Sequence, residues 1–562
     1  MFWEKAKSKE FWKEVRNNPQ YRIFIDGLIK VYEKDAQGDI KDISYDDFMD
    51  YHISGERKRF MKEYDSRRRR LNACALLSLI YPECEDYFSN LMNTIWAICN
   101  EYCWSLPMHT KNADLEYNDD YIDLCAAVTG FELSEIRYLL GERMSTLMNN
   151  RIHKEVEKRI ITSFLNHSYN WEKMQKNWSS VCASNVAGAF MYERPDLFCR
   201  IKPRIDAAME CFLSSFKKDG ICREGLAYWE YGFGHFVCYA EQLYNFTKGH
   251  INLFTDERVK TVAHFATIPF LEQGLAVSFA DCRRDAQVAL STITILDNRY
   301  GGIFEAVPKE ALLYTADNWK KCIRNIVLYD PEKESKCFVE SEHYAPESGW
   351  FVKRNSVYGF AAKGGDNAEP HNHNDIGNFI FSHNGKQVIT DLGGGEYVKG
   401  YCDYSGERYN TLCTRSGGHS VPILDGKEQS PGKEFAGKTN YGEGKFTIDL
   451  IGAYPKTAVS GIVREFSFTE EGVILKDTYS FTGECECKER LISLLRPEVK
   501  EGCIRLEDVC VYYDLNNWNA TVSSAMHSRP GGIDEEVYLI DFERKNKEVS
   551  VFKAEICVLE II

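Results

Sequence analysis

The sequence predicts an α+β chain of two domains, a helical half followed by an antiparallel β-sandwich. Three observations carry that expectation. Apolar residues recur with the helical period from the start of the chain to about Asn325, and from about Lys336 the period falls to two. The chain has 562 residues, too many for one ordinary domain. Its 44% hydrophobic and 27% charged residues are those of a globular protein with cores to bury. The expected domains are 1–330 and 331–562, with the boundary near Tyr329-Asp330-Pro331-Glu332.

Taken in order, helical segments are expected at 71–80, 87–104, 120–127, 133–148, 154–165, 181–191, 204–216, 235–246, 258–271 and 286–296. Short Gly, Pro, Asn or Asp punctuation separates them, with almost no alternating pattern between. Such a series builds a bundle, a solenoid or a ring of helical hairpins, and the lack of a fixed-period repeat weighs against the solenoid. Strands are expected at 337–340, 350–353, 357–360, 445–451, 462–468, 472–481, 537–542, 549–552 and 556–559. Strands at such spacing without intervening helices argue for a sandwich.

The net charge of −15 argues against nucleic acid as a partner. The first residues, Met1-Phe2-Trp3-Glu4-Lys5, carry no apolar leader, and no run is long and uncharged enough to span a membrane. The 20 cysteines form no CxxC pair, and most sit inside apolar patterns, as buried thiols do. A reduced, cytoplasmic protein is the expectation.

Chemistry concentrates in 369–397, EPHNHNDIGNFIFSHNGKQVITDLGGGEY. On an extended backbone His371 and His373 would point the same way, because strand side chains alternate faces. Asn384-Gly385 between two apolar runs signals a tight hairpin, which would carry Asp391 back towards His373. Further on, Arg415-Ser416-Gly417-Gly418-His419 adds another imidazole. His373, Asp391 and His419 would make a two-His, one-carboxylate set suited to Zn²⁺. The plainer alternative is polar loop residues that never meet.

Two stretches of the helical half also look chemical. Asn177 opens the apolar run that follows Trp178, where it serves either as an N-cap or as a side chain aimed at a ligand. In Arg223-Glu224-Gly225-Leu226-Ala227-Tyr228-Trp229-Glu230-Tyr231-Gly232, Tyr228 and Tyr231 lie one helical turn apart and share a cleft unless they are packed core aromatics. Tyr, His and Asn without a paired carboxylic acid and nucleophile fit proton abstraction beside a carboxylate better than hydrolysis. A uronic acid offers such a proton at C5, and an amide such as that of Asn177 stabilises the charge that develops on its carboxylate.

On EPHNHNDIGNF, ITDLGGGEY and SGGHS, with NWSSVCASN and REGLAYWEYG before them, the chain resembles the heparinase II/III-like polysaccharide lyases from about Trp171 to Leu424. The resemblance implies an incomplete (α/α) toroid of helical hairpins followed by an antiparallel β-sandwich. It implies β-elimination on a uronate-containing oligo- or polysaccharide, glycosaminoglycan-type first and alginate-like next. Asn177 would neutralise the carboxylate, and Tyr231 would be the acid and often the base, with Tyr228 competing for that role. His371 would serve as base for the opposite C5 epimer. His373, Asp391 and His419 would hold a structural zinc, and Glu224, Tyr228 and Tyr409 would line substrate subsites. Two things depart: the missing leader suggests an intracellular enzyme working on imported oligosaccharides, and the acidic charge disfavours highly sulfated heparin. A zinc-dependent hydrolase and a non-catalytic glycan-binding protein are the alternatives. A homo-oligomer is compatible with the sequence, and neither nucleic acid nor membrane is expected as partner.

Overall fold

A computed structural model describes residues 2–110, 120–313, 318–333, 340–398, 400–401, 406–545 and 551–561. The strand expected at 337–340 falls mostly outside these residues, as do 549 and 550. Helices occupy the first part, from Phe2–Lys7 to Trp319–Leu328, and the first described strand of the sheet half is Ser341–Ala345. Many helices begin where a side chain accepts from an otherwise unpaired amide. Asp123, Ser145 and Asn318 cap Leu124–Leu140, Thr146–Val156 and Trp319–Leu328 in this way.

The helix Asn177–Glu193 is central. All its residues except Trp178 and Tyr192 are buried, and it packs against Leu124–Leu140, Phe198–Leu213 and Leu226–Phe246. A helix enclosed on every side cannot be amphipathic, so its run of Ala, Gly, Ser and Val replaces the usual stripe. Its buried hydroxyls are satisfied locally: Ser180 donates to the Gly232 carbonyl at 2.7 Å, which ties this helix to its neighbour.

Among the described residues the β half contains three antiparallel sheets. A five-stranded sheet runs Ser341–Ala345, Trp350–Arg354, Gly359–Lys363, Phe379–His383, Lys386–Ile389. Apart from its edge strand Ser341–Ala345 it is largely buried on both faces, and the period of two divides it. Trp350, Val352, Ala361 and Ile380 join the helical core, whereas Phe351, Phe360, Ala362, Phe379 and Phe381 join the sandwich core with Phe446, Phe466 and Leu475. The sheet is therefore the wall between the domains. Beyond it lie a nine-stranded sheet centred on Gly472–Phe481 and a four-stranded one built on Trp518–Arg529 and Ile533–Arg544. Asn384 and Gly385 adopt φ of +51° and +72° and join Phe379–His383 to Lys386–Ile389, the tight hairpin expected from the sequence.

Arg464 pins the loops beneath this wall. Fully buried, it pairs with Asp477 and Glu489 and donates to the carbonyls of Gly377 at 2.9 Å and Ser420 at 2.8 Å. Those carbonyls belong to the loops that carry His373, Asp375 and His419, three of the candidate metal ligands. Arg464→Met should cost about 3–5 kcal/mol, the usual result of removing one partner of a buried ionic network, read as a shift in the denaturant midpoint.

Candidate active site and metal-ligand cluster

The site is built around a residue of the helical half, Asp281, which is 6% exposed. Its Oδ2 accepts from His371 Nδ1 at 2.7 Å and from the Tyr397 hydroxyl at 3.2 Å. Its Oδ1 accepts from the Tyr401 hydroxyl at 2.6 Å and lies 3.1 Å from His373 Nε2. Arg408 reaches both oxygens at 3.0 Å. Burial alone would raise the pKa of this carboxyl. The hydrogen bonds from His371 and His373 and the charge of Arg408 outweigh that and hold it well below the ordinary range.

Glycines allow this carboxylate its place. Gly225 has φ of +86°, and a Cβ there would stand 2.5 Å from Cys282 Cβ. Gly393, at φ of +67°, would drive a Cβ into the Cys282 carbonyl. Parts of the REG and LGGG motifs thus let the chain at 281–282 pass between two other segments.

His371 sits in a turn at φ of +56°, not on a strand. The expected alternation of His371 and His373 on one strand face is therefore corrected: the two imidazoles are brought together by sharing one carboxylate. Donation from Nδ1 to Asp281 turns Nε2 of His371 outward, 3.6 Å from Glu224 Oε2. The ring of Tyr228 stacks on it with centroids 4.3 Å apart, and the Tyr228 hydroxyl lies 2.5 Å from that of Tyr397. Burial first, then Asp281, pushes the Tyr397 phenol far up, so it stays protonated and serves as a donor.

A cleft of about 250 Å³ opens beside this group, lined by Asn177, Lys217, Arg223, Glu224, Tyr228 and Pro370 among others. Asn177 is the first helical residue, preceded by Lys176 at the cap position without a side-chain cap bond, so the capping alternative does not hold. Glu224 loses its charge more readily than usual because of burial, offset by His371 and Lys176.

Tyr231 is elsewhere. Its ring packs edge-on against His235 at 5.7 Å and lines a second cavity of about 360 Å³, with no ring contact to His371. Three residues along a helix turn the side chain by roughly 60°, and that rotation separates the two phenols. The expectation that Tyr231 faces His371 is corrected, with Tyr228 in that position. Tyr409 donates to Asn372 Oδ1 at 3.4 Å, one residue from His371, and is not part of the cleft lining.

Behind the site, His373, Asp375, Asp391 and His419 offer ligand atoms all within 4.8 Å of one another, every residue buried. His373 gives Nε2 to Asp281, and among the described residues its Nδ1 has no hydrogen-bond partner, nor has Asp375 Oδ2. His419 Nε2 donates to the Cys413 carbonyl at 2.7 Å, leaving Nδ1 towards Asp391 Oδ2 at 3.4 Å. Two imidazole nitrogens and two carboxylates, with His373 Nδ1 and Asp375 Oδ2 unpartnered, fit a four-coordinate Zn²⁺, and backbone and carboxylate partners already fix both tautomers.

Residues 340–476 match the family model described as Heparinase II/III-like, C-terminal. That stretch is similar to the C-terminal domain of the heparinase II/III-like proteins. No curated protein sequence matches it. Among solved structures, a heparinase III shares 11% identity at a TM-score of 0.60, covering 97% of this chain and 92% of that one. Heparan sulfate lyase HepC from Pedobacter heparinus shares 12% at 0.59, covering 99% and 88%. The Streptomyces coelicolor A3 chondroitin AC lyase shares 9% at 0.58, covering 98% and 82%. At such identities the likeness establishes the fold, a helical toroid followed by a β-sandwich, across the whole chain.

The sequence motifs did not reveal Asp281, Tyr401 or Arg408. Asp281 lies 90 residues before His371 and has no local signature. Asp375 and Tyr397 stand inside the HNHND and ITDLGGGEY motifs; an acidic residue two positions after His373 was the available clue to the fourth candidate ligand.

Proposed function

We propose that the chain is a lyase that cleaves uronate-containing glycans by β-elimination, glycosaminoglycan-type oligosaccharides first and alginate-like polyuronates next. The observation that carries this reading is the stack of Tyr228 on His371 beside a cleft that also holds the Asn177 amide. The named substrates of its structural neighbours, heparan sulfate and chondroitin, direct the choice of glycan.

The geometry supports the following division of work. The Asn177 NH₂ hydrogen-bonds the uronate carboxylate, where negative charge develops. His371 Nε2, its other nitrogen anchored on Asp281, takes the proton from C5. The C5–H electron pair becomes the C4=C5 double bond as the C4–O4 bond breaks. O4 leaves with the proton of Tyr228, whose hydroxyl is reprotonated through Tyr397. For the opposite C5 epimer the phenol side supplies the base. A Zn²⁺ on His373, Asp375, Asp391 and His419 would cross-link the loops that present His371. Because all four ligands are buried, the set resembles a closed structural site, which disfavours the hydrolase alternative.

The test uses ultraviolet absorbance of 4,5-unsaturated uronate on hyaluronan, chondroitin, heparan, alginate and ulvan, before and after chelation. Product is expected on at least one glycan. Chelation should lower the melting temperature by several degrees, with turnover lost only as the protein unfolds. Hydrolysis without the unsaturated chromophore, lost at once on chelation and restored by zinc, would establish the hydrolase instead. Binding without any product would leave a glycan-binding protein.

A further inference from the structure

We propose, resting on the lyase reading above, that the cleft is a dead end, so that the chain works from the reducing end of a glycan and releases unsaturated fragments of one or two sugars. The cleft volume of about 250 Å³ lies below the roughly 300–1,000 Å³ of pockets that enclose a drug-sized molecule, which leaves room for about two rings at most.

Most of the lining comes from one loop, residues 214–225, between the helices Phe198–Leu213 and Leu226–Phe246. That loop is fastened to the sheet half. The Arg223 guanidinium donates to Glu369, two residues before His371. Lys217 donates to the Glu347 carbonyl at 2.8 Å, and the Lys218 amide to the Glu347 carboxylate at 3.3 Å. Asp219 accepts from the Ser348 amide at 2.7 Å and from its hydroxyl at 2.8 Å. Glu369 is 8% exposed and Ser348 1%, so solvent is excluded from the seam at both places.

The seam is also supported from behind on each side. Gly220, at φ of +73°, sits so close to Thr261 that a Cβ would stand 2.7 Å from the Thr261 carbonyl oxygen. In the sheet half a Cβ on Gly349, at φ of +72°, would stand 2.8 Å from the Gly365 amide nitrogen, and the Gly364 amide donates to the Gly349 carbonyl at 2.7 Å. Glycine is what permits both close approaches. Polar bonds across the seam and tight backbone packing behind it make a wall of this loop.

The chemistry gives the direction. C1 and C4 lie at opposite ends of a pyranose ring. With O4 directed at the Tyr228 hydroxyl, C1 faces away from Tyr228 and into the cleft, where Asn177 holds the carboxylate of the same ring. The sugar attached at C1, on the reducing side, therefore has only the rest of the cleft before it meets the fastened loop. The portion that departs with O4 lies on the Tyr228 side, and its length is not limited by that wall. Cutting an internal bond of a long chain would require the reducing-side segment to pass through the seam.

The test begins with calorimetric binding to the full chain carrying Tyr228→Phe, which holds the ligand uncleaved. Mannuronate and unsulfated chondroitin tetrasaccharides serve as probes, each untagged, tagged with a bulky fluorophore at C1 of the reducing end, or tagged at the non-reducing end. At least one untagged probe should bind. The reducing-end tag should weaken it at least tenfold and the other tag less than threefold. Adding Asp219→Ala with Ser348→Ala should raise affinity for the reducing-end-tagged probe at least fivefold. The unsubstituted chain acting on alginate and chondroitin polymers should release unsaturated mono- or disaccharide from the first minutes. Equal tolerance of the two tags, no binding of either untagged probe, early fragments of intermediate length, or a double variant with unchanged melting temperature that still excludes the tag would overturn the proposal. Tag-selective binding without unsaturated product sinks the lyase reading and keeps the dead end. Long unsaturated fragments do the reverse.

Discussion

Tyr228→Phe should lower kcat on a uronate oligosaccharide by about 10²–10⁴-fold while leaving its dissociation constant within a few fold. The substitution removes one oxygen and keeps the ring stacked on His371, so the cleft retains its shape. The proton for the departing O4 then has no donor in place, because the Tyr397 hydroxyl is turned towards Asp281 at 3.2 Å. Steady-state kinetics on the unsaturated product gives the answer. Should Tyr231→Phe abolish turnover while Tyr228→Phe leaves kcat intact, the phenols have been assigned the wrong way round.

Asp281→Asn should be damaging in two separable ways. An amide keeps the size of the carboxylate but replaces one acceptor oxygen with a donor. Either His371 Nδ1 or His373 Nε2 then faces an N–H, and that ring must change tautomer or turn away. Where a comparable change was made in a histidine–aspartate pair, kcat fell by about 10⁴, and a loss of about 10³–10⁴ is expected here. Arg408, fully buried, also loses its counter-charge, which should cost about 3–5 kcal/mol of stability. The pH dependence has a definite sign. Folding holds the Asp281 pKa below its unfolded value of about 4, so its contribution is present above that pH and is lost as the pH falls towards the folded value. The stability gap between the original protein and the variant should therefore narrow on acidification below about pH 4. Asp281 acts through His371, so the pH–rate profile is the readout that separates positioning from scaffolding. A folded variant with unchanged rate and profile would remove Asp281 from the mechanism.

Much of this architecture was legible in the chain. The change of period near residue 330 reflects how each kind of element buries its faces, and Trp350-Phe351-Val352 shows why it survives folding: alternate residues enter different cores. Asn384-Gly385 foretold its own turn, because few other residue pairs adopt two consecutive positive φ values without strain. The closeness of His373, Asp391 and His419 followed from that turn and one further loop.

What no local pattern carried was the partner of these histidines. Asp281 reaches the sheet half from a distant segment, and only the packing of glycines around 281–282 lets it arrive. The same holds for the two tyrosines. Helical periodicity placed Tyr228 and Tyr231 one turn apart, but which of them meets His371 depends on how the helix is rotated against the sheet.

The sequence by itself determined the order of the domains, the hairpin, and the residues of the candidate metal-ligand cluster except Asp375. These depend on neighbours a few positions away, through backbone preference and periodic burial. Only the tertiary structure decided that Asp281 links His371 to His373 of the candidate metal-ligand cluster, that Tyr228 is the stacked phenol, and that Tyr231 opens onto a cavity of its own. Those outcomes turn on rigid-body placement of elements far apart in the chain, set by the packing of the whole core.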